Sequence, residues 1–449
     1  MNFRRRTPEQ EMKTMRILFT TLILLLLTGI LRAQEYIPSY GRELPRSRVR
    51  VYPTQREAAE AADGNNLYHT RIDEWTQAGN VFTAPITVPF AWANRQILLH
   101  VEEASAEYEV RVNGRPAAYN ADGSSPAEFN LTRLLKEGAN TLEIEVAEGS
   151  ATARLESWKE NPAPAVGRVW LTSQPQMYIR DITIENRRND AGDDFLLSEI
   201  GIVVKTGTLN PRTSRIHYEL LTPDGKTAAA GHDDMTLDMR REDTLRFLAR
   251  IPDSLQWSAE NPARYTLRLK TQHEGRYVEY LEFRPGFRTV DVKNGMLTIN
   301  DRPVDLRIRE VGPEIDEAEI LALREQGYNA LQLRPGTVAE PLGEICDRLG
   351  IYLIVTAPID TGRSGESRRK GGNPTNDPAW EGAFIERTED NYHTTKRHPS
   401  VVAFQLARRS SNGNNLYETY LKMKRFDDPR PFIYPEAAGE WNSDRLLTK

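Results

Sequence analysis

Two adjacent arginines and a scatter of acids hold most of the chemistry in this chain. Arg408 and Arg409 follow the strand-like run VVAFQLA, and a guanidinium fork matches a carboxylate through two hydrogen bonds. Such a pair can grip an anionic ligand, although solvated or ion-paired arginines are the commoner case. Glu310, Asp360, Glu436 and Glu440 each stand just after an apparent strand. Two carboxylates meeting there could divide the roles of proton donor and nucleophile. Loop acids exposed to water are common too, and that bland reading stands beside the catalytic one.

Other reactive side chains carry less. Seven histidines are scattered, and His393 and His398 are five apart, a poor helical spacing for a shared metal. Neither a metal nor a cofactor is expected. Ser364 in GRSGES lacks the strand-to-helix setting of a nucleophile elbow. The single cysteine, Cys346 in LGEICDRLG, reads as a small buried hydrophobe and excludes an internal disulfide.

The elements that must position these residues change character along the chain. Residues 35–176 read as all-β: NVFTAPITVPF, RQILLHVEE, AEYEVRVNGRPAAYN and NTLEIEVAE alternate or are β-branched between Gly, Pro and Asn turns. Asn113-Gly114 between two such runs predicts a hairpin, because both turn positions tolerate positive φ. Strands at this spacing predict a jelly-roll sandwich. Residues 177–288 repeat strand-like runs every dozen or so positions, which suits an immunoglobulin-like sandwich. From 289 to 449 strand and helix alternate, starting with VDLRIRE and DEAEILALREQG, where Asp316 is an expected N-cap. A long helix is predicted from Asp377 to Lys396. Alternation of this kind implies parallel strands with right-handed crossovers.

Composition bounds the rest. With 39% hydrophobic and 27% charged residues the chain reads as an ordinary globular protein of two to four domains. The net charge of −5 and the lack of a basic block beyond the N-terminus exclude nucleic acid as an expected partner. Residues 1–34 begin with Arg4, Arg5 and Arg6 and continue into an apolar run from Ile17 to Leu31. That run is short for a membrane span and predicts a signal peptide cleaved near Ala33, hence a secreted or periplasmic bacterial protein with no membrane span afterwards.

In this order the three segments resemble glycoside hydrolase family 2, the β-galactosidases, β-glucuronidases and β-mannosidases. VRVNGRPAAYNADGSSPAEFNLTRLLKEGANTLEIEV is similar to the family's N-terminal jelly roll, and LQWSAENPARYTLRL to the end of its immunoglobulin-like domain. GFRTVDVKNGMLTINDRPVDLR resembles the start of its (β/α)₈ barrel, and KRHPSVVAFQL its fourth-strand segment. The resemblance implies a carbohydrate partner, a β-linked glycan, and two carboxylic acids flanking the glycosidic bond. The acid/base would be the Glu of an Asn-Glu pair after the fourth barrel strand; counted from His398-Pro399-Ser400, those positions are Arg408 and Arg409. Arginine stays protonated and cannot exchange that proton. By the same matching, the polar position after the second strand is Gln332, the His after it is Pro335, and the acid after the third strand is Thr356. The family's nucleophile lies on a seventh strand, and the chain stops at Lys449 after five visible strands.

The expectation is therefore a multidomain β plus α/β protein with an incomplete TIM-type barrel, carbohydrate-binding or scaffolding rather than catalytic. The alternative is an active exo-β-glycosidase using displaced carboxylates (Glu310, Asp360, Glu436, Glu440) or a partner chain. Trp75, Trp92 and Trp158 are candidate sugar-stacking residues. Five parallel strands cannot close a cylinder, so the inner face meets water unless the tail from Trp441 to Lys449, a second copy or another chain covers it, and self-association is the favoured expectation. Thr388 and Asn391, interrupting the apolar stripe of the long helix, predict a partly solvated or rearranged surface.

Overall fold

The computed structural model describes residues 36–60, 64–149, 151–188, 192–369, 371–437 and 442–446. The expected signal peptide and Glu440 lie outside them. Among the described residues no helix is long and apolar enough to cross a membrane.

Alternating burial folds the first segment into a sandwich of a four-stranded and a five-stranded antiparallel sheet. Side chains of period two, such as Phe82, Ala84, Ile86 and Val88, fill the space between them. The Asn113-Gly114 hairpin forms with Val112 opposite Arg115, and both turn residues take positive φ, 52° and 73°. A second sandwich of three and four antiparallel strands follows from Met177 to Phe283.

The third segment is a parallel sheet of five strands in sequential order: β1 (Ile308–Val311), β2 (Ala330–Leu333), β3 (Tyr352–Thr356), β4 (Val401–Gln405) and β5 (Phe432–Ile433). Helices α1 (Glu317–Glu325), α2 (Ala339–Leu349), α3 (Glu381–Thr395) and α4 (Asn414–Lys424) connect them. Asp316 caps α1 in a reciprocal box with Glu319. The long helix expected from Asp377 begins later. Pro374 and Pro378 break its start into two 3₁₀ turns, and Asp377 takes an extended backbone before Pro378.

The inner face of the sheet is not left to water. Ala330, Ile354, Ala403 and Ile433 form one core with Trp257 and with Val290, Leu297 and Ile299 of a short three-stranded sheet preceding β1. Residues 442–446 lie along β5: Asp444 donates its backbone N–H to Phe432 O at 2.9 Å and Ser443 Oγ accepts from Tyr434 N at 2.7 Å.

The α3 surface also differs from expectation. Arg387, Thr388, Asp390 and Asn391 are buried, because this polar face packs against the first sandwich and a strap of residues 36–52. The strap touches all three segments. Arg42 pairs with Glu386 at 2.7 Å and Asp390 at 2.8 Å on α3. Arg46 pairs with Glu128 of the first sandwich at 2.5 Å, while Val49 and Val51 enter the core of the second.

Candidate functional site

Parallel strands present their carboxyl ends on one edge, where loops gather side chains from distant stretches of sequence. Beyond β4 the backbone runs through buried Leu406 and Ala407 to Arg408 and Arg409. The Arg408 amide donates to Ile359 O at 2.9 Å, tying this loop to the one after β3. Arg409 adopts a left-handed backbone with φ 45°, which costs a non-glycine residue roughly 1 kcal/mol. Its amide donates to Glu436 Oε1 at 2.6 Å, and that bond holds the turn.

The side chains then engage the nearby acids. Arg408 donates two hydrogen bonds to Glu310 beyond the middle of β1, at 2.9 and 2.7 Å. The Nε and one terminal nitrogen of Arg409 both lie 2.8 Å from Asp360 Oδ2 after β3. Asp360 is fully enclosed, at 0% exposure, and its other oxygen accepts from Gly362 N at 3.0 Å. Glu310, Asp360 and Glu436 thus share one edge of the sheet; the two guanidiniums engage Glu310 and Asp360, while Glu436 accepts only the Arg409 backbone amide and is exposed. The two guanidinium-paired carboxylates brace the ends of their strands. The arginines are likewise taken up by neighbouring acids instead of standing ready for an anionic sugar.

Below them the floor is neutral. Gln332 of β2 donates to Gln405 of β4 at 2.6 Å, and Gln405 donates to Ala407 O at 2.8 Å. The buried Thr356 hydroxyl has no hydrogen-bond partner among the described residues. No group of three or more His, Cys, Asp or Glu suited to a metal ion occurs among them. His398 is buried against Asp347 at 2.7 Å, whereas the His393 ring packs on Tyr392 and Phe426.

The first sandwich contributes a wall. Its 3₁₀ turn Ala151–Leu155 leads into a parallel bridge between Glu156 and Asp360, with Asp360 N donating to Leu155 O at 2.7 Å and Ser157 N to Asp360 O at 2.9 Å. Trp158 follows and lies against Gly336, beyond β2; a Cβ there would come within 2.5 Å of the indole nitrogen. Gly336 also needs its φ of 79°, so this close approach requires glycine. Trp158 is half-buried and stands by the loops after β2 and β3. The other two tryptophans do not. Trp92 is 2% exposed and donates its indole N–H to Leu67 O at 2.6 Å. Trp75 packs edge-on against Phe82 and donates to Ile72 O at 3.2 Å. Trp92 fills the sandwich core, which removes it as a stacking platform, whereas Trp75 is half-buried and packs against that core.

Behind this wall sits a cation the sequence reading missed. Arg387 of α3, 1% exposed, donates to Pro358 O at 2.7 Å and pairs with Glu156 at 2.8 Å and Asp122 at 3.6 Å. Its signal in the sequence was the polar face of this helix, of which only Thr388 and Asn391 were singled out, as a partly solvated or rearranged surface.

Comparisons with known proteins match the second and third segments to one family. The description "Glycosyl hydrolases family 2, TIM barrel domain" matches residues 290–448, and "Glycosyl hydrolases family 2" matches residues 177–288. A β-galactosidase of Priestia megaterium is 26% identical over 366 residues, covering 76% of this chain and 35% of the relative. One from Psychromonas ingrahamii is 26% identical, covering 80% and 36%. The chain therefore spans about a third of the length of these curated relatives. Among solved structures, a β-glucuronidase of Ruminococcus gnavus aligns with a TM-score of 0.64 at 16% identity, covering 79% of this chain and 62% of that one. A β-glucuronidase of Bacteroides uniformis aligns at 0.61 with 18% identity, covering 72% and 40%. These structural likenesses speak to the fold.

Proposed function

The chain belongs to glycosyl hydrolase family 2, and from that premise we propose that it is a carbohydrate-directed member that binds β-linked glycan without cleaving it. One observation carries the proposal: Arg408 and Arg409 stand after β4 and engage Glu310, Asp360 and Glu436. Hydrolysis needs one carboxylic acid able to lend a proton and a second free to attack or to activate water. A guanidinium can do neither. Binding needs less, namely a ring face and a few fixed polar groups. Trp158, half-buried against Gly336 after β2, offers the ring face.

The same proposal places the protein outside the cytoplasm, secreted or periplasmic, on the strength of the basic start and the apolar run from Ile17 to Leu31. Titration calorimetry with β-linked galactosides, glucuronides and mannosides tests the binding arm. We expect saturable heats without released monosaccharide, and Trp158→Ala weakens them about tenfold, the scale of one stacked ring. Heats indistinguishable between the wild-type and Trp158→Ala chains would remove this edge of the sheet as the binding site.

A further inference from the structure

The second sandwich carries a feature that its own folding does not require. Its four-stranded sheet runs Thr227–Leu237, Arg212–Leu221, Thr266–His273 and Arg276–Phe283 in spatial order. Ile216, Leu220, Leu267, Leu269 and Leu281 point into the core. On the opposite face, where charged and small polar residues would suffice, a file of rings crosses the sheet. His232 lies directly opposite His217 on the neighbouring strand, with ring centroids 5.3 Å apart. His217 contacts Tyr277 at 5.5 Å, and Tyr277 contacts Tyr280 at 5.8 Å. Tyr277 is 43% exposed, and the Lys270 ammonium lies 4.4 Å from its centroid.

Beside this file the sheet opens into a cleft of about 660 Å³ whose lining includes Arg215, Asp234, Gln272 and Glu274. Arg215, Asp234 and Gln272 are cross-strand neighbours in the row adjoining the rings, so file and cleft are continuous. Most of the charges along them are paired within the sheet. Arg215 makes two hydrogen bonds of 2.8 Å to Asp234, and Arg268 pairs with Glu282 at 3.1 Å and Glu219 at 3.5 Å. Burial and the neighbouring Lys270 hold the His217 imidazole below its ordinary pKa, against a hydrogen bond it donates to Gln272 Oε1, which favours its charge. The ring is therefore uncharged at neutral pH.

From this we infer that the outer face of the second sandwich is a glycan-binding surface, separate from the edge of the parallel sheet, which takes an uncharged polysaccharide. Rings lying along a strip match the apolar faces of successive sugar units. The amide and ion-paired groups of the adjoining row offer donors and acceptors to their hydroxyls, and a surface with mostly paired charges favours a neutral occupant over an anionic one. The inference rests on the carbohydrate-directed reading but not on the edge of the parallel sheet being its binding site.

Native affinity electrophoresis of the full chain through gels containing soluble galactan, xylan or glucomannan tests it. At least one of these neutral polymers is expected to retard the protein. Tyr277→Ala should weaken that retention about tenfold, the scale of one stacked ring. Tyr277→Phe, which keeps the ring, should retain it, and an unchanged thermal midpoint in both variants will show that they are folded. Trp158→Ala separates the two sites, since it should leave retention in place. Retention unaltered by Tyr277→Ala, retention abolished by Trp158→Ala alone, or no retention in any of the three polymers would each overturn the surface.

Discussion

At the scale of single residues, Arg408 and Arg409 do similar work in different surroundings. Glu310 is partly exposed, and water can replace Arg408 at modest cost, so Arg408→Ala should destabilise the protein by less than about 1 kcal/mol. Asp360 is enclosed, and loss of Arg409 leaves it only the Gly362 amide. Arg409→Ala should therefore cost more, about 1–3 kcal/mol, partly offset by relief of the left-handed backbone only if the turn reorganises. Denaturant midpoints of the two variants measured side by side will check the order. The identity of these arginines was legible in the sequence, and so was their conflict with acid/base chemistry. Their partners were not: nothing in the sequence says that Arg408 reaches across to β1 while Arg409 turns to β3. That choice follows from the positive φ at Arg409 and from the loop pairing between Arg408 and Ile359.

At the scale of elements, α3 shows where pattern reading fails. A polar residue on a helix is ordinarily solvated, and sequence periodicity cannot reveal that a second domain covers it. Here the covering surface supplies Asp122 and Glu156 to Arg387 and supplies Arg42 to Glu386 and Asp390. Removing one partner of such a buried cluster leaves uncompensated charge, so Arg387→Leu should destabilise by about 3–5 kcal/mol. Because Arg387 also donates to Pro358 O, just ahead of Asp360, it should loosen the β3 loop as well. Hydrogen exchange of the Asp360 amide, bonded to Leu155 O, reports that loosening. The β-strands of the two sandwiches were easier to read, since a period of two survives whatever packs outside them. The inner face of the parallel sheet was misjudged for the opposite reason. Part of its cover, the tail that includes residues 442–446, was among the covers expected from the sequence; the rest comes from a short sheet before β1, too small to announce itself as a lid.

At the scale of the whole molecule, the strap of residues 36–52 and the α3 interface join the three segments, so they should unfold in concert. One group at the junction of the sandwiches makes that junction pH-sensitive. Glu279 is buried, and burial pushes its pKa up to about 7 against the Ile179 amide, nearby Arg95 and the side chains of Gln174 and Thr271. An unfolded glutamate titrates near 4.3. Between these values the folded protein holds a proton that the unfolded chain has released, so the contribution is complete at low pH and is lost as pH rises through about 7. Thermal midpoints followed from pH 5 to pH 8 should therefore fall less steeply in Glu279→Gln than in the wild type.

The central claim concerns proton chemistry at the sheet edge, and turnover measures it most directly. The purified chain, incubated with p-nitrophenyl β-galactoside, β-glucuronide and β-mannoside, is expected to release no nitrophenol above the uncatalysed rate. Release that disappears on Glu310→Gln or Glu436→Gln would contradict the account, because a carboxylate held by an arginine would then be performing hydrolysis.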